Sequence, residues 1–286
     1  MTETTAIDPE LEHAHLGGQL RPDWPERLAR FAAASAEVLA RPEVVADVAY
    51  GPHPRQRFDL VPVGGEARAV VVFLHAGWWR SRDRRDFAFL ADAVAAHGCD
   101  TVPANYPLAP ETSVAGITMA VRALIPAVAA LERSRRGRVP PILVAGHSAG
   151  AHLAVELAIA EPPEGVPPVA AVLGLSGVYD LAPLVATSLA VDLGLTTDVA
   201  RAASPIHRLG PRGCPALFAV GGGETAAFLD QNRRIAAAWS AAGHLSECLE
   251  VGADDHFSLL DRLGEAGGPL ADGFARLVGE IAPARD

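Results

Sequence analysis

A short glycine-flanked sequence in this 286-residue chain has the residue types and spacing of a hydrolytic nucleophile. Gly146-His147-Ser148-Ala149-Gly150 matches G-x-S-x-G and lies between an apolar run, Ile142–Ala145, and a helix-forming run that begins at Ala149. At such a strand–turn–helix junction the serine hydroxyl is exposed, because glycines allow a turn that is too tight for a Cβ. We therefore predict that Ser148 is an acyl-transfer nucleophile. The alternative is a Gly-Ser turn that caps an ordinary helix.

A nucleophilic serine of this kind needs a general base, which follows it along the chain in this type of elbow. The histidines after Ser148 are His152, His207, His244 and His256. His256 follows the last predicted strand, at the carboxyl edge of the sheet where ligands bind. The other three fall in the elbow helix, in a long connection and at the start of a strand. We predict that His256 is the base, with a solvated loop histidine as the alternative.

The predicted acid is Glu224, which follows Gly221-Gly222-Gly223 and the strand expected over Ala216–Val220. This position brings it to the same sheet edge as the predicted base. Asp180, after the preceding strand, is the competing candidate. The triple glycine is not a phosphate loop, since the G-x-G-x-x-G spacing is missing and the chain has no lysine for a Walker motif.

A second glycine-containing loop supplies the predicted oxyanion hole. His75-Ala76-Gly77-Trp78-Trp79 follows directly on the apolar run Ala69–Leu74. Acyl transfer needs backbone N–H groups aimed at the developing oxyanion, from this loop and from the residue after the nucleophile. We predict that the N–H groups of Gly77, Trp78 and Ala149 form the hole.

Trp78, Trp79 and Arg80 are the predicted substrate contacts. Two indoles beside the oxyanion donors offer flat apolar walls, which favours a short acyl group and an aromatic leaving group. Arg80 could attract an anionic substrate. The alternative interpretation is that the indoles pack in the core and that the mixed-charge run after Trp79 is a solvated helix start.

These residues fall at the ends of elements that alternate along the chain. Strands are predicted at Asp47–Tyr50, Arg57–Val61, Ala69–Leu74, Asp100–Ala104, Ile142–Ala145, Val169–Leu175, Ala216–Val220 and Leu245–Val251. Helices are predicted between them, including Arg84–His97, Val114–Arg135, Ala149–Ala160 and Ala226–Ala242. The alternation predicts an α/β fold: a mostly parallel central sheet of about eight strands with helices on both faces.

We predict one domain over residues 1–286, because two compact domains would be cramped at this length. Residues 1–45 are predicted to be an N-terminal extension with a packed helix, since apolar residues recur at helical spacing from Trp24 to Leu39. Residues 180–212 form the one long excursion between predicted strands and are the predicted small lid.

The composition excludes several other classes of protein. The net charge is −10 and all basic residues are arginine, without a basic stripe, so neither nucleic acid nor a membrane is an expected partner. Cys99, Cys214 and Cys248 are too few for a disulfide framework or a zinc site, and the pair His13 and His15 has no third ligand nearby. We expect no metal and no organic cofactor. No secretory signal is visible, so a cytoplasmic location is expected.

The motifs together resemble the kynurenine formamidase (arylformamidase) branch of the hormone-sensitive-lipase-like α/β hydrolases, over roughly residues 24–263. The similar stretches are His75–Trp79 for the H-G-G-x-W loop, Gly146–Leu153 for the elbow, Gly223-Glu224 for the acid segment and His256-Phe257 for the base. The resemblance implies an α/β-hydrolase fold, a triad of Ser148, Glu224 and His256, and a structural role for Asp180. Ala76 departs from the family pattern by replacing the first glycine of H-G-G-x-W.

The resemblance implies an arylformamidase-like serine hydrolase that acts on N-formyl aromatic amines such as N-formylkynurenine. The main alternative is a carboxylesterase for short-acyl or aryl esters. A non-catalytic small-molecule receptor and an acyltransferase are further alternatives. The expected partner is a small-molecule substrate. Both a homodimer and a monomer are compatible with the sequence.

Overall fold

A single sheet organises the molecule, whose computed structural model describes residues 6–282; residues 1–5 of the predicted extension and 283–286 of the predicted domain lie outside the described residues. The strands are β1 (Val45–Ala49), β2 (Arg57–Leu60), β3 (Val70–Leu74), β4 (Asp100–Ala104), β5 (Ile142–His147), β6 (Ala171–Leu175), β7 (Ala216–Gly221) and β8 (Ser246–Val251). They form one eight-stranded sheet in the order β1-β2-β4-β3-β5-β6-β7-β8. The β1–β2 and β2–β4 pairs are antiparallel and the others are parallel. The predicted α/β-hydrolase architecture is confirmed.

The central strands are apolar throughout because both faces of the sheet are covered. In β3, Val70, Val72 and Leu74 join the core on one face, while Val71 and Phe73 join the core on the other. This division follows from the alternation of side chains along a strand.

Helices cover both faces. They are α1 (Pro9–His15), α2 (Trp24–Leu39), α3 (Leu90–Ala95), α4 (Val114–Val121), α5 (Leu124–Arg136), α6 (Ala149–Ile159), α7 (Leu189–Leu193), α8 (Thr197–Ala203), α9 (Ala226–Ala241), α10 (Ser258–Asp261) and α11 (Pro269–Ile281). Side chains of α4, α5, α6 and α9 fill the core on one face, and those of α2, α3 and α11 fill it on the other. The sheet therefore holds its loops between two fixed helical layers.

The helix predicted over Arg84–His97 is wrong in its first half. Within Arg84–His97, only a 3₁₀ turn, Arg84–Asp86, and the short helix α3 are helical. The buried guanidinium of Arg84 donates to Asp59 through Nε at 2.6 Å, and the backbone N–H of Arg84 donates to Oδ1 of Asn105 at 2.7 Å. These tertiary partners fix the backbone in a conformation that helical propensity alone does not indicate.

The single helix predicted over Val114–Arg135 is two helices, α4 and α5. A continuous helix would require the N–H of residue 126 to donate to residue 122, but residue 126 is a proline that has no N–H. The stretch 114–136 is long and apolar enough to cross a membrane, with a mean hydropathy of 1.9 in its most apolar window. Ile117, Val121 and Leu124 are buried in the core, so this hydropathy is typical of a core helix pair.

Candidate active site

Ser148 lies at a sharp turn between β5 and α6. Its backbone has φ 57° and ψ −119°, a conformation that residues other than glycine rarely adopt. A Cβ at Gly146 would overlap the Gly150 carbonyl, and a Cβ at Gly150 would overlap the Leu74 carbonyl at the end of β3. The glycines thus allow the turn to press against β3, as the sequence motif predicts.

The loop after β3, residues 75–79, is called the oxyanion loop for its predicted role, and it faces the same cavity as Ser148. Ala76, Gly77 and Trp78 line it, and Gly77 has φ +124°, where a Cβ would overlap the Ser81 carbonyl. Within residues 6–282, the N–H groups of Gly77 and Trp78 donate to no backbone carbonyl or side chain. Two unused backbone donors beside a serine are the arrangement that an oxyanion hole requires.

Glu224 and His256 form a buried pair at the carboxyl ends of β7 and β8. Nδ1 of His256 lies 2.8 Å from Oε2 of Glu224. The other carboxylate oxygen, Oε1, accepts from the N–H of Gly221 at 3.0 Å and from the hydroxyl of Ser176. This carboxylate is therefore fixed in orientation, and His256 lines the cavity that Ser148 also lines.

The competing acid and bases have other partners. Asp180 accepts from the guanidinium of Arg234 at 2.7 Å and lies 3.7 Å from Nε2 of His207. Nε2 of His152 and Nε2 of His244 lie 2.7 Å and 2.9 Å from backbone carbonyl oxygens. These contacts give Asp180 the structural position that the family resemblance implies.

His75 holds the oxyanion loop in place. Burial lowers the pKa of His75 to about 4, so its imidazole is neutral at neutral pH. Nδ1 lies 2.7 Å from the Ala76 carbonyl, and the ring stacks on Tyr106 at a centroid distance of 4.3 Å. The hydroxyl of Tyr106 donates to the His75 carbonyl at 2.7 Å. Both partners restrict the backbone that leads into Gly77.

The two loop tryptophans have different surroundings. Trp78 lines the cavity and packs edge-on against Phe228 at a centroid distance of 6.2 Å. Trp79 is 0% exposed and packs edge-on against His152 in the core. The prediction that Trp79 contacts substrate is wrong, because the loop directs the second indole into the core.

Arg80 lines the cavity, but its charge is already paired. The guanidinium forms an ion pair with Asp192, in α7. The prediction that Arg80 attracts an anionic substrate assumed a free cation at this position. In the structure Arg80 is not free. Its ion pair with Asp192 links the oxyanion loop to the predicted lid.

The N-terminal segment, residues 7–20, covers the cavity, which has a volume of about 750 Å³. The residues of this segment that line the cavity are Ile7, Pro9, Glu12, His13, His15, Leu16, Gly17, Gln19 and Leu20. Within residues 6–282, no residue of the predicted lid, 180–212, lines it. The predicted lid instead supports the N-terminal segment. Ala186 accepts from the N–H of Asp8 at 2.8 Å, and Ser188 donates its N–H to Glu12 at 2.8 Å.

Gln19 is a site residue that sequence reasoning missed. Its side chain is buried, and Nε2 donates to Oε2 of Glu224 at 3.1 Å, the same oxygen that faces His256. The neighbouring Thr225 hydroxyl donates to the carbonyl of Ala14 at 2.6 Å. The N-terminal segment is thereby joined to the candidate acid. Gln19 and Glu224 are 205 residues apart, so no local pattern could have found the contact.

We expect Gln19→Glu to move the acidic limb of the kcat/KM–pH profile to higher pH by about one unit, because a second carboxylate next to Glu224 favours protonated His256. Gln19→Leu, which removes the hydrogen bond without adding charge, should lower kcat about fivefold and leave the limb in place. The measurement is a pH series of initial rates for both variants. Identical profiles for Gln19→Glu and the unchanged protein would show that the contact does not position the acid.

Comparison with known proteins agrees with this architecture. The family described as the α/β hydrolase fold matches residues 71–259, and the chain therefore belongs to it. It is a hydrolase. The chain is similar to the kynurenine formamidase of Danio rerio, with 24% identity over 247 residues and 83% of each chain covered. The resemblance predicted from the motifs is confirmed.

Two solved structures are also similar to this chain. One is a protein from Silicibacter sp. TM1040 that is provisionally assigned as a thioesterase. It is 28% identical with a TM-score of 0.80, and the match covers 96% of this chain and 99% of that one. The other is an esterase from the bacterial hormone-sensitive lipase family, which is 22% identical with a TM-score of 0.65. That match covers 91% of this chain and 99% of the esterase, and it supports the fold.

Proposed function

We propose that this protein is a serine hydrolase that removes a short acyl group, formyl above all, from an aromatic amine. The observation that carries the proposal is the convergence of Ser148, the Glu224–His256 pair and two unused backbone N–H groups on one cavity. The likeness to kynurenine formamidases over most of the chain supports the formamide as substrate.

The proposed reaction begins with transfer of the Ser148 hydroxyl proton to Nε2 of His256 as Oγ attacks the acyl carbon. Glu224 accepts from Nδ1–H and stabilises the imidazolium. The N–H groups of Gly77, Trp78 and Ala149 donate to the tetrahedral oxyanion. His256 then protonates the leaving amine, the C–N bond breaks, and water hydrolyses the acyl-enzyme by the same proton transfers.

Aromatic side chains around the base support an aryl leaving group. Phe228 packs edge-on to His256 at 4.9 Å, and Trp24 lies 6.1 Å from it, both between ring centroids. Both residues line the cavity together with Phe257. Aromatic rings prefer such edge-on and tilted neighbours, so a flat leaving group can pack among them.

A second candidate function is hydrolysis of short-acyl esters or thioesters. It is favoured by the similar structure with a provisional thioesterase assignment, which covers nearly the whole chain. The triad chemistry is the same for an ester, since only the leaving atom changes. The two candidates differ in whether the cavity accepts the planar amide group of an anilide, which has an N–H where an ester has an oxygen.

Kinetics on matched substrates test the proposal. We expect kcat/KM for N-formylkynurenine to exceed that for p-nitrophenyl acetate and p-nitrophenyl butyrate. Ester turnover without formamide turnover would support the second candidate. Product analysis with added amine or alcohol separates hydrolysis from acyl transfer, because an acyltransferase would give the acylated acceptor in place of the free acid.

The acyl side of the cavity should accept only short groups. Ala76 adds a buried methyl group to the oxyanion loop, and Trp78 forms the adjoining wall. Across p-nitrophenyl esters from acetyl upward we expect kcat/KM to peak at acetyl or propionyl, with a loss of about tenfold or more at butyryl, since one misfitting methylene costs about 1–3 kcal/mol. Trp78→Ala should flatten this profile. A maximum at octanoyl in the unchanged protein would contradict a short acyl pocket.

A further inference from the structure

The charged side chains around the cavity differ in whether the protein supplies a hydrogen-bond or ion-pair partner. The titratable side chains that line it are Glu12, His13, His15, Arg80, Arg82 and His256. Glu12 accepts from Ser188, and Arg80 pairs with Asp192. Burial lowers the pKa of His15, which keeps its ring neutral at neutral pH. Within residues 6–282, Arg82 forms no salt bridge, and its charge acts on the Asp86 carboxylate only at longer range.

The position of Arg82 is set by its backbone and its neighbours. Its φ is 75°, and its carbonyl accepts from the guanidinium of Arg55 at 2.8 Å. Its Cγ would lie 2.9 Å from a Cβ at Gly77, so the side chain runs along the oxyanion loop. The guanidinium carbon lies 6.0 Å from the ring centroid of Phe257, the residue after His256. The Arg82 side chain therefore lies between the oxyanion loop and Phe257, the residue that follows the candidate base.

This side of the cavity receives the leaving group. In the proposed reaction, on which this inference rests, His256 gives its proton to the leaving atom, so the leaving group must lie next to His256. A charged group on that part of the substrate would be within reach of Arg82. The guanidinium fork matches a carboxylate in a bidentate way, and an aromatic ring under it, here Phe257, helps to hold it flat.

We propose that Arg82 recognises a carboxylate on the leaving group, and that the substrates of this enzyme are anionic aromatic amides or esters. The net charge of the chain is −10, which repels anions from most of the surface. Arg82, which is exposed and lines the cavity, counteracts this repulsion at the site. Arg82, and not Arg80, is then the specificity residue of the loop.

The test compares matched neutral and anionic substrates: formanilide with 3-formamidobenzoate, and phenyl acetate with 3-acetoxybenzoate. For the unchanged protein we expect the anionic member of a pair to have the higher kcat/KM. In Arg82→Gln the ratio of anionic to neutral kcat/KM should fall about 10- to 100-fold, mainly through KM, because a charge-assisted bidentate contact is lost. The preference should also weaken as salt is added.

Arg85→Gln is the matched control, because Arg85 is exposed as Arg82 is, lies three residues further along the chain and does not line the cavity. Its ratio should equal that of the unchanged protein. Arg82→Lys, which keeps the charge without the fork, should give an intermediate ratio and provides a second variant should Arg82→Gln not fold. A ratio that Arg82→Gln and Arg82→Lys leave unchanged would overturn the inference.

The outcome for Arg82 can be separated from the outcome for the proposed function. Turnover of the substrates without charge preference would contradict the role of Arg82 and leave the hydrolase proposal standing. Absence of turnover of all four would contradict the proposed function. In that case calorimetric binding of 3-acetamidobenzoate against acetanilide tests Arg82 directly, with tighter binding of the anion expected and equal binding of the two opposing the inference.

Discussion

Ser148→Ala is expected to lower kcat by about 10³-fold or more, because it removes the nucleophile and leaves only binding and the oxyanion donors. The change deletes one hydroxyl from a residue at the tip of a turn, so the melting temperature should change little. Rates on formanilide and phenyl acetate, together with a thermal melt, make the measurement.

A covalent probe supplies the control for Ser148. A fluorophosphonate should add its mass to the peptide that contains residues 146–150 of the unchanged protein, and it should not add to Ser148→Ala. Substantial residual turnover in a variant with an unchanged melt would refute Ser148 as the nucleophile. Labelling at a different residue would have the same meaning.

Glu224→Gln is expected to lower kcat by about 10³-fold or more, because the amide keeps the shape of the carboxylate and removes the charge that stabilises the imidazolium. The variant would also place an amide where Oε1 and Oε2 now accept from Ser176, Gly221 and Gln19. Steady-state kinetics and a thermal melt on the same preparation separate a catalytic loss from unfolding.

Asp180→Asn is the matched control for Glu224→Gln, since it makes the same chemical change in another buried carboxylate. Its charge is balanced by Arg234, and a loss there weakens an ion pair rather than the base. We expect a much smaller effect on kcat. If Asp180→Asn proves more damaging in a folded protein, the acid has been assigned to the wrong residue.

The parts of the fold that could be predicted from sequence are those with a local signature. The elbow around Ser148 is specified within five residues, because two glycines and the flanking strand and helix are enough to set the turn. β3 and β4 follow from apolar or alternating runs, and β4 begins and ends where predicted. Glu224 and His256 could be proposed because each directly follows a predicted strand, and parallel strands bring such residues to one edge.

Other features depend on contacts that sequence patterns do not contain. Trp78 and Trp79 are adjacent and chemically identical, and only the left-handed backbone of the loop decides which of them faces the cavity. The 3₁₀ turn at Arg84 depends on Asp59 and Asn105, from two different strands or their ends. The sequence of the N-terminal segment shows only a weak local pattern. The segment nevertheless forms a wall of the site, because this part of the chain makes hydrogen bonds to residues more than 200 positions away.

The N-terminal segment also determines when during synthesis the site can be completed. Gln19 meets Glu224 across 205 residues, and Trp24 donates to Asp255 across 231 residues. At about 5–20 residues per second, the ribosome needs on the order of 10–40 s to supply these partners after the segment has emerged. Until then the sheet edge that holds the acid is not yet made, and the apolar side of the segment has nothing to cover. The complete site is thus assembled only after residues 224–256 have been made and Gln19 and Trp24 have met their partners there.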